Sequence, residues 1–114
     1  MKKIFFIISL ASLLLTNAFS STSSIKKVES KYVCMITNAV FPKVQIPVTI
    51  DKKVYYGCCE NCKKTLAEKK ESRFALDPIN GKKVDKALAV IGQTSKGSVL
   101  YFENEKTFSK YNGK

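Results

Sequence analysis

The chain has 114 residues, and its 20 basic residues against 9 acidic ones give a net charge of +11. It contains no histidine, which excludes Ser-His-Asp and Cys-His catalytic sites and every metal site that uses imidazole. Any chemistry must therefore depend on the four cysteines and on carboxylate, lysine and tyrosine side chains.

The first twenty residues predict a secretory signal peptide. Lys2 and Lys3 form a positive start, and a mostly apolar run over residues 4–15 follows. Small side chains at Ala18 and Ser20 fit cleavage after Ser20, with export to the periplasm or the exterior. A membrane anchor is the alternative, but a run of about a dozen residues is short for a bilayer. We therefore expect no stable membrane insertion after cleavage.

The rest of the chain has the size of one small domain. Residues 21–30 are polar and lack periodicity, which predicts a disordered leader before a domain at residues 31–114. Without Lys2 and Lys3, 18 basic residues face 9 acidic ones. An anionic partner is one interpretation of this charge. The lysines are spread along the chain without a nucleic-acid-binding motif, so we favour a solvated surface and expect no nucleic acid partner.

The first half of the domain, residues 31–75, is predicted to hold a short extended segment, a β-hairpin and a helix. Residues 44–50 partly alternate apolar and polar side chains, and residues 54–56 make a second short strand. Gly57 ends that strand. Good helix formers over residues 60–70 then predict a helix of about three turns.

The second half, residues 76–114, is predicted to repeat this order. It begins with an Asp-Pro-Ile-Asn-Gly turn at residues 77–81, followed by a strand or an irregular segment at residues 84–91. A strand at residues 98–102 and a helix at residues 103–111 complete it. The predicted fold class is α+β, with two small ββα-like halves sharing one core. A shift of 45 residues pairs Tyr56 with Tyr101, Cys58 with Glu103, Cys62 with Thr107 and Leu66 with Tyr111.

Some conspicuous side chains are predicted to have structural roles. Met35 can serve as an extra thioether ligand, but core filling is the favoured role for a methionine beside a strand cysteine. Asp77 and Asp85 flank the Pro-Ile-Asn-Gly turn, and we expect them to cap turns rather than to form a catalytic pair.

The four cysteines are predicted to act as one cluster. Cys58, Cys59 and Cys62 span a strand end and a helix start, so their sulfurs can converge above the first helical turn. Cys34, on a neighbouring strand, can close the group. A helix N-terminus favours thiolate, the form that binds Cu(I) and Zn(II). The predicted ligands are Cys34, Cys58 and Cys62, with Cys59 as a candidate fourth.

Two other interpretations of the cysteines remain open. An even number of cysteines in a small exported domain is also typical of two structural disulfides, for which four cysteines allow three pairings. The Cys59-Glu60-Asn61-Cys62 segment is a C-x-x-C at a helix start, which is also found in thiol–disulfide redox proteins.

The cysteine spacing resembles that of the TRASH and YHS group of small metal-binding domains. Cys34 is followed after a long gap by an aromatic strand end, Tyr55-Tyr56-Gly57-Cys58, and then by Cys62. The segment at residues 77–85 resembles the Asp-Pro-x-Cys-Gly-Met-x-Val opening of a YHS unit, with Asn80 in place of its cysteine. Tyr101-Phe102 resembles the aromatic ending of such a unit, with its two cysteines replaced by Glu103 and Thr107.

This resemblance implies a treble-clef- or zinc-ribbon-like cysteine site in the first half and a degenerate, structural second half. It also implies a role in binding Cu(I) or Zn(II), as in metal handling or trafficking, rather than in catalysis. The implied partners are the metal ion and a metal transporter or acceptor protein.

Overall fold

The computed structural model describes residues 24–112, which form a small mixed α+β structure with two helices and several small sheets. Short 3-10 turns lie at Ser30–Tyr32 and at Lys70–Arg73. Within the described residues, no helix is long and apolar enough to cross a membrane. In chain order the elements are β1 (Lys26–Lys27), β2 (Val33–Cys34), β3 (Ala39–Val40), β4 (Ile46–Ile50), β5 (Lys53–Gly57), α1 (Glu60–Glu68), β6 (Phe74–Leu76), β7 (Lys83–Asp85), β8 (Val90–Gln93), β9 (Val99–Phe102) and α2 (Glu105–Tyr111).

A tight hairpin leads into the first helix. β4 and β5 pair antiparallel, with Ile50 opposite Lys53. The two residues between them, Asp51 and Lys52, have φ angles of 54° and 66°. Two successive positive φ angles are typical of a type I′ turn, whose twist matches that of paired strands. Because α1 packs against both β4 and β5, the helix start is held at the end of β5.

A second hairpin leads into the second helix. β8 and β9 pair antiparallel, and α2 packs against both strands. The side chain of Asn104 caps α2 by accepting a hydrogen bond from the N–H of Thr107. Residues 84–91, predicted to be a strand or an irregular segment, are divided between the end of β7, a turn and the start of β8. The reason is a turn after Asp85, whose carboxylate accepts from the N–H of Ala87.

The predicted leader at residues 21–30 is ordered where the structure describes it. Ile25 is buried, and Lys26–Lys27 forms β1, an edge strand paired with β8. The prediction of disorder is therefore wrong for residues 24–30. A buried isoleucine and backbone pairing to β8 outweigh the polar composition, and neither is visible in local sequence. The predicted signal peptide lies outside the described residues.

The core takes side chains from both hairpins, from α1 and from the segment around β2. Met35 is fully buried in it, so the predicted filling role is confirmed. The Tyr55 hydroxyl donates to Asp85 at 2.7 Å, and Lys53 pairs with the same carboxylate at 2.7 Å. These contacts join the first hairpin to β7. The buried cluster consists of Val33, Met35, Tyr55, Leu66, Ile91, Val99 and Tyr101.

Asp77 joins the turn after β6 to the start of α2. Its side chain is 1% exposed, and one carboxylate oxygen accepts from the N–H of Ile79 at 2.7 Å. The other oxygen accepts from the N–H of Glu103 and from the hydroxyl of Thr107, each at 2.7 Å. The predicted turn-capping role is confirmed, and it extends to the second helix.

Candidate metal centre

Cys34 lies at the end of β2, against the first hairpin. The N–H of Met35 donates to the carbonyl of Tyr56 at 2.8 Å, which fixes β2 beside β5. The chain then turns over residues 35–38, closed by a 2.7 Å hydrogen bond from the N–H of Asn38 to the carbonyl of Cys34. Asn38 has a φ of 57°, a conformation that asparagine tolerates better than most residues. Cys34 is therefore held, fully buried, over the end of β5.

The other three cysteines lie where β5 passes into α1. Cys58 follows the last residue of β5, Cys59 occupies the N-cap position of α1, and Cys62 lies in the first helical turn. Cys62 is 7% exposed, whereas Cys58 and Cys59 are exposed. Gly57 permits this close passage, because a Cβ added there would lie 2.8 Å from the Cβ of Cys62.

Three sulfurs meet at this point. The Sγ atoms of Cys34, Cys58 and Cys62 all lie within 4.8 Å of one another. The Sγ atoms of Cys58 and Cys62 are 3.8 Å apart. Cys59 lies outside this trio, although its Sγ is 3.6 Å from that of Cys62. The predicted convergence therefore occurs for Cys34, Cys58 and Cys62, and all four cysteines are free thiols.

Hydrogen-bond donors surround the sulfur of Cys34. Burial opposes its ionisation, but the hydroxyl and the N–H of Thr37 both donate to it. The backbone N–H groups of Ile36 and Cys58 add two more donors. Together they lower the pKa of Cys34 to about 7, from an ordinary value of 9.0. The sulfur of Cys34 is thus prepared to carry negative charge.

The pKa values of the other three thiols are shifted by different causes. Burial raises the pKa of Cys62 to about 12, and hydrogen bonds to the other cysteine sulfurs act in the same direction. A hydrogen bond to Cys34 is the main cause that raises the pKa of Cys58. The backbone N–H of Cys62, at the start of α1, lowers the pKa of Cys59. The cluster therefore mixes readily ionised thiols with thiols that hold their protons.

The sulfur spacing fits a metal ion. Thiolates arranged tetrahedrally about 2.3 Å from one zinc ion have sulfurs about 3.8 Å apart. The 3.8 Å between Cys58 and Cys62 and the 3.6 Å between Cys59 and Cys62 match this value. Among the described residues, Cys34, Cys58 and Cys62 are the one group of this kind close enough to hold an ion.

Sequence reasoning missed the residues that surround Cys34. The donors come from the turn at residues 35–38, and an Asn four residues after the cysteine is a signal for such a turn. Lys86, buried beside the same turn, is also missed. Nothing in the local sequence distinguishes it from the other lysines.

Comparisons of the chain with models of protein families, with characterised proteins and with solved structures found no match. The candidate metal centre therefore rests on its own geometry and on the chemistry of its donors.

Proposed function

We propose that this protein is an exported metal-binding protein that holds Cu(I) or Zn(II) in a cysteine thiolate site and serves metal handling rather than catalysis. One observation carries the proposal: sulfurs from two separate segments, Cys34 on one side and Cys58 with Cys62 on the other, lie within 4.8 Å of one another. Thiolate sulfur is the donor that Cu(I) and Zn(II) both accept.

Cys34, Cys58 and Cys62 are the proposed ligands, and Cys59 is the candidate fourth. The backbone donors around Cys34 support this assignment, because ligating thiolates need nearby positive partial charge. Cys59 can reach an ion shared with Cys62 by a small side-chain rotation, since the two sulfurs are already 3.6 Å apart.

The exposure of two cysteines supports a role in transfer. Cys58 and Cys59 face solvent while Cys34 and Cys62 are buried. An incoming thiolate or other soft ligand can therefore approach the ion from the side of Cys58 without unfolding the protein. We accordingly propose a metal transporter or acceptor protein as the partner, reached in the periplasm or outside the cell after removal of the signal peptide.

We further propose that the chain consists of two ββα units of the TRASH and YHS type. The order of hairpin and helix supports this, since β4, β5 and α1 are followed by β8, β9 and α2. The 45-residue shift also relates the two helix N-caps, Cys59 and Asn104. In the second unit, the positions related to Cys58 and Cys62 are Glu103 and Thr107.

A hydrogen-bond network supports a structural role for the second unit. Asn80, related to Cys34 by a shift of 46 residues, donates to Glu103 at 2.9 Å. The carboxylate of Asp77 accepts from the Glu103 N–H and the Thr107 hydroxyl. Polar contacts thus occupy the place that the sulfurs occupy in the first unit, and no metal is needed to hold this end together.

Native mass spectrometry of anaerobically purified, reduced protein tests the proposed function. After addition of Cu(I) or Zn(II), we expect one ion per chain and four free thiols on denaturation. The leading alternative, a module stabilised by two disulfides, predicts no bound ion and a mass four hydrogens below that of the reduced chain. A redox protein would instead reduce insulin disulfides and lose that activity in Cys62→Ser.

Two matched variants test the ligand set. Cys62→Ser removes a buried sulfur of the trio. We expect it to lower the metal affinity by about 100-fold or more, because loss of a ligand should cost more than loss of a group that only supports a ligand. Cys59→Ser removes the exposed sulfur outside the trio, and we expect a smaller loss. Equal affinities in Cys62→Ser and the wild type would refute the assignment.

A further inference from the structure

Lys86 is a buried lysine in the turn that follows β7. It is 6% exposed, which is rare for a lysine because burial of an ammonium group is costly unless the charge is compensated. Its backbone is fixed by a hydrogen bond from its own N–H to the carbonyl of Arg73 at 2.9 Å. The side chain therefore starts from a fixed point and reaches the turn that follows Cys34.

The ammonium group of Lys86 lies against one turn and one aromatic ring. Nζ donates to the carbonyl of Met35 at 2.6 Å and to Oδ1 of Asn38 at 3.4 Å. It also lies 5.1 Å from the centre of the Tyr101 ring. Met35 and Asn38 belong to the turn at residues 35–38, whose amides donate to the sulfur of Cys34.

In the part of the chain that the structure describes, no aspartate or glutamate forms an ion pair with this ammonium group. Burial lowers the pKa of Lys86, and the negative charge of Cys34 acts in the opposite direction. The charge that opposes this effect of burial is therefore that of Cys34, the residue before Met35.

We propose that Lys86 is a specificity-determining residue that biases the cysteine site toward Cu(I) over Zn(II). This inference rests on the proposed function. With the same thiolates around it, a Cu(I) complex carries one more unit of negative charge than a Zn(II) complex. A fixed buried ammonium attracts the more negative complex more strongly.

The ratio of the two affinities isolates this effect. Both ions bind the same metal-free protein, so the protonation of its thiols before binding contributes equally and cancels in the ratio. A variant that merely distorts the turn changes both affinities together. A variant that removes the charge lowers the affinity for Cu(I) more than that for Zn(II).

The experiment compares affinities for Cu(I) and Zn(II) by competition with chromogenic chelators, under anaerobic conditions, in four forms of the full mature chain. Lys86→Met removes the charge and keeps much of the side-chain volume. Lys86→Gln removes the charge and keeps a donor for the Met35 carbonyl. It replaces Lys86→Met in the comparison if circular dichroism shows that Lys86→Met is unfolded. Tyr101→Phe is the uncharged control, because it removes a 2.7 Å hydrogen bond to Asn38 and keeps the ring.

We expect the Cu(I)-to-Zn(II) affinity ratio to fall by about tenfold in the neutral Lys86 variants, as for one unit charge about 10 Å away at an effective dielectric constant of about 20. In Tyr101→Phe, we expect any losses to be equal for the two ions. An unchanged ratio in the Lys86 variants, or the same drop in Tyr101→Phe, would overturn the inference. A wild-type protein that binds neither ion would refute the proposed function instead.

Discussion

Cys34 and Cys62 are both buried, but their surroundings favour opposite protonation states. Four donors lower the pKa of Cys34 to about 7, whereas burial raises the pKa of Cys62 to about 12. An ion that enters the site must displace the proton of Cys62, so binding releases protons and strengthens as the pH rises. The donors around Cys34 make it the sulfur of the trio that ionises most readily.

Asp77 provides a test of stability at the residue scale. We expect Asp77→Asn to lower the free energy of unfolding at pH 7 by about 2–3 kcal/mol, because a charged acceptor of three hydrogen bonds is lost. Burial alone would raise the pKa of Asp77, but the N–H of Glu103 and the other donors outweigh it, and the pKa is lowered from 3.8. Urea unfolding between pH 3 and pH 7 measures the effect.

The sign of the pH dependence follows from this lowered pKa. The ionised carboxylate of Asp77 stabilises the fold above its ordinary pKa of 3.8, and that contribution is lost as the pH falls through the lower folded value. The difference between wild type and Asp77→Asn should therefore shrink in acid. Glu71→Gln, at a side chain 83% exposed, is the control and should change stability little. A difference that stays constant down to pH 3 would contradict this account.

At the scale of single residues, the sequence predicts which side chains carry the chemistry, but it does not predict what surrounds them in the fold. The absence of histidine and the spacing of Cys58, Cys59 and Cys62 are enough by themselves to indicate sulfur chemistry. The burial of Lys86 is not predictable, since it depends on where β7 and the turn at residues 35–38 meet in space. The same holds for the N–H donors around Cys34, because nearly every residue has such a group and only the fold directs it.

Among the elements, the junction of β5 and α1 determines how closely the sulfurs approach. Gly57 ends β5 directly against the first turn of α1, and its missing Cβ leaves room for Cys62. The helix can then begin at Glu60 with Cys59 at its N-cap position. The glycine thus sets the distance between β5 and α1, and three of the four cysteines lie at or just after the junction of these two elements.

Gly57→Ala should push the start of α1 away from β5. The added Cβ would lie 2.8 Å from the Cβ of Cys62, so backbone must shift. We expect a loss of unfolding free energy of about 1–3 kcal/mol. We also expect the metal affinity to fall about tenfold, because changes to groups that position metal ligands typically have an effect of this size. Chemical denaturation and chelator competition measure the two quantities.

Gly81→Ala is the matched control for that prediction. Gly81 has a φ of 73° and no atom within 4 Å of an added Cβ, so alanine there costs stability through backbone strain alone. We expect a similar loss of about 1–2 kcal/mol with unchanged metal affinity. If Gly81→Ala weakens metal binding as much as Gly57→Ala does, general loss of stability explains both.

Local patterns predict the elements unevenly. Alternation over residues 44–50 and the helix formers after Gly57 are local signals, and β4, β5 and α1 lie close to where they indicate. Residues 84–91 carry several alanines and give no such signal, so the division into β7 and β8 is not foreseen. β1 is missed for another reason: it is two residues long and exists through pairing with β8, some 65 residues further along the chain.

On the scale of the whole molecule, the cysteine site joins segments that are distant in sequence. Cys34 belongs to the segment between β1 and β4, and the other cysteines follow the first hairpin. In the described residues these two segments are held together by side-chain packing and by backbone contacts such as that between Met35 and Tyr56. An ion bound by both adds a cross-link that the unfolded chain cannot form at comparable strength.

Metal binding should therefore stabilise the entire fold. An ion at a free concentration 100 times its dissociation constant adds about 2.7 kcal/mol to the free energy of unfolding. For a domain of this size, that corresponds to a rise in Tm of about 10–20 °C. Thermal unfolding of the reduced protein with Zn(II), and again after a chelator is added, measures the rise and its reversal. Cys34→Ser removes the ligand from one of the two segments, so the ion can no longer join them and the rise should disappear. An equal rise in Cys34→Ser would mean that the ion binds the Cys58–Cys62 turn alone and that the stabilisation does not depend on joining the two segments.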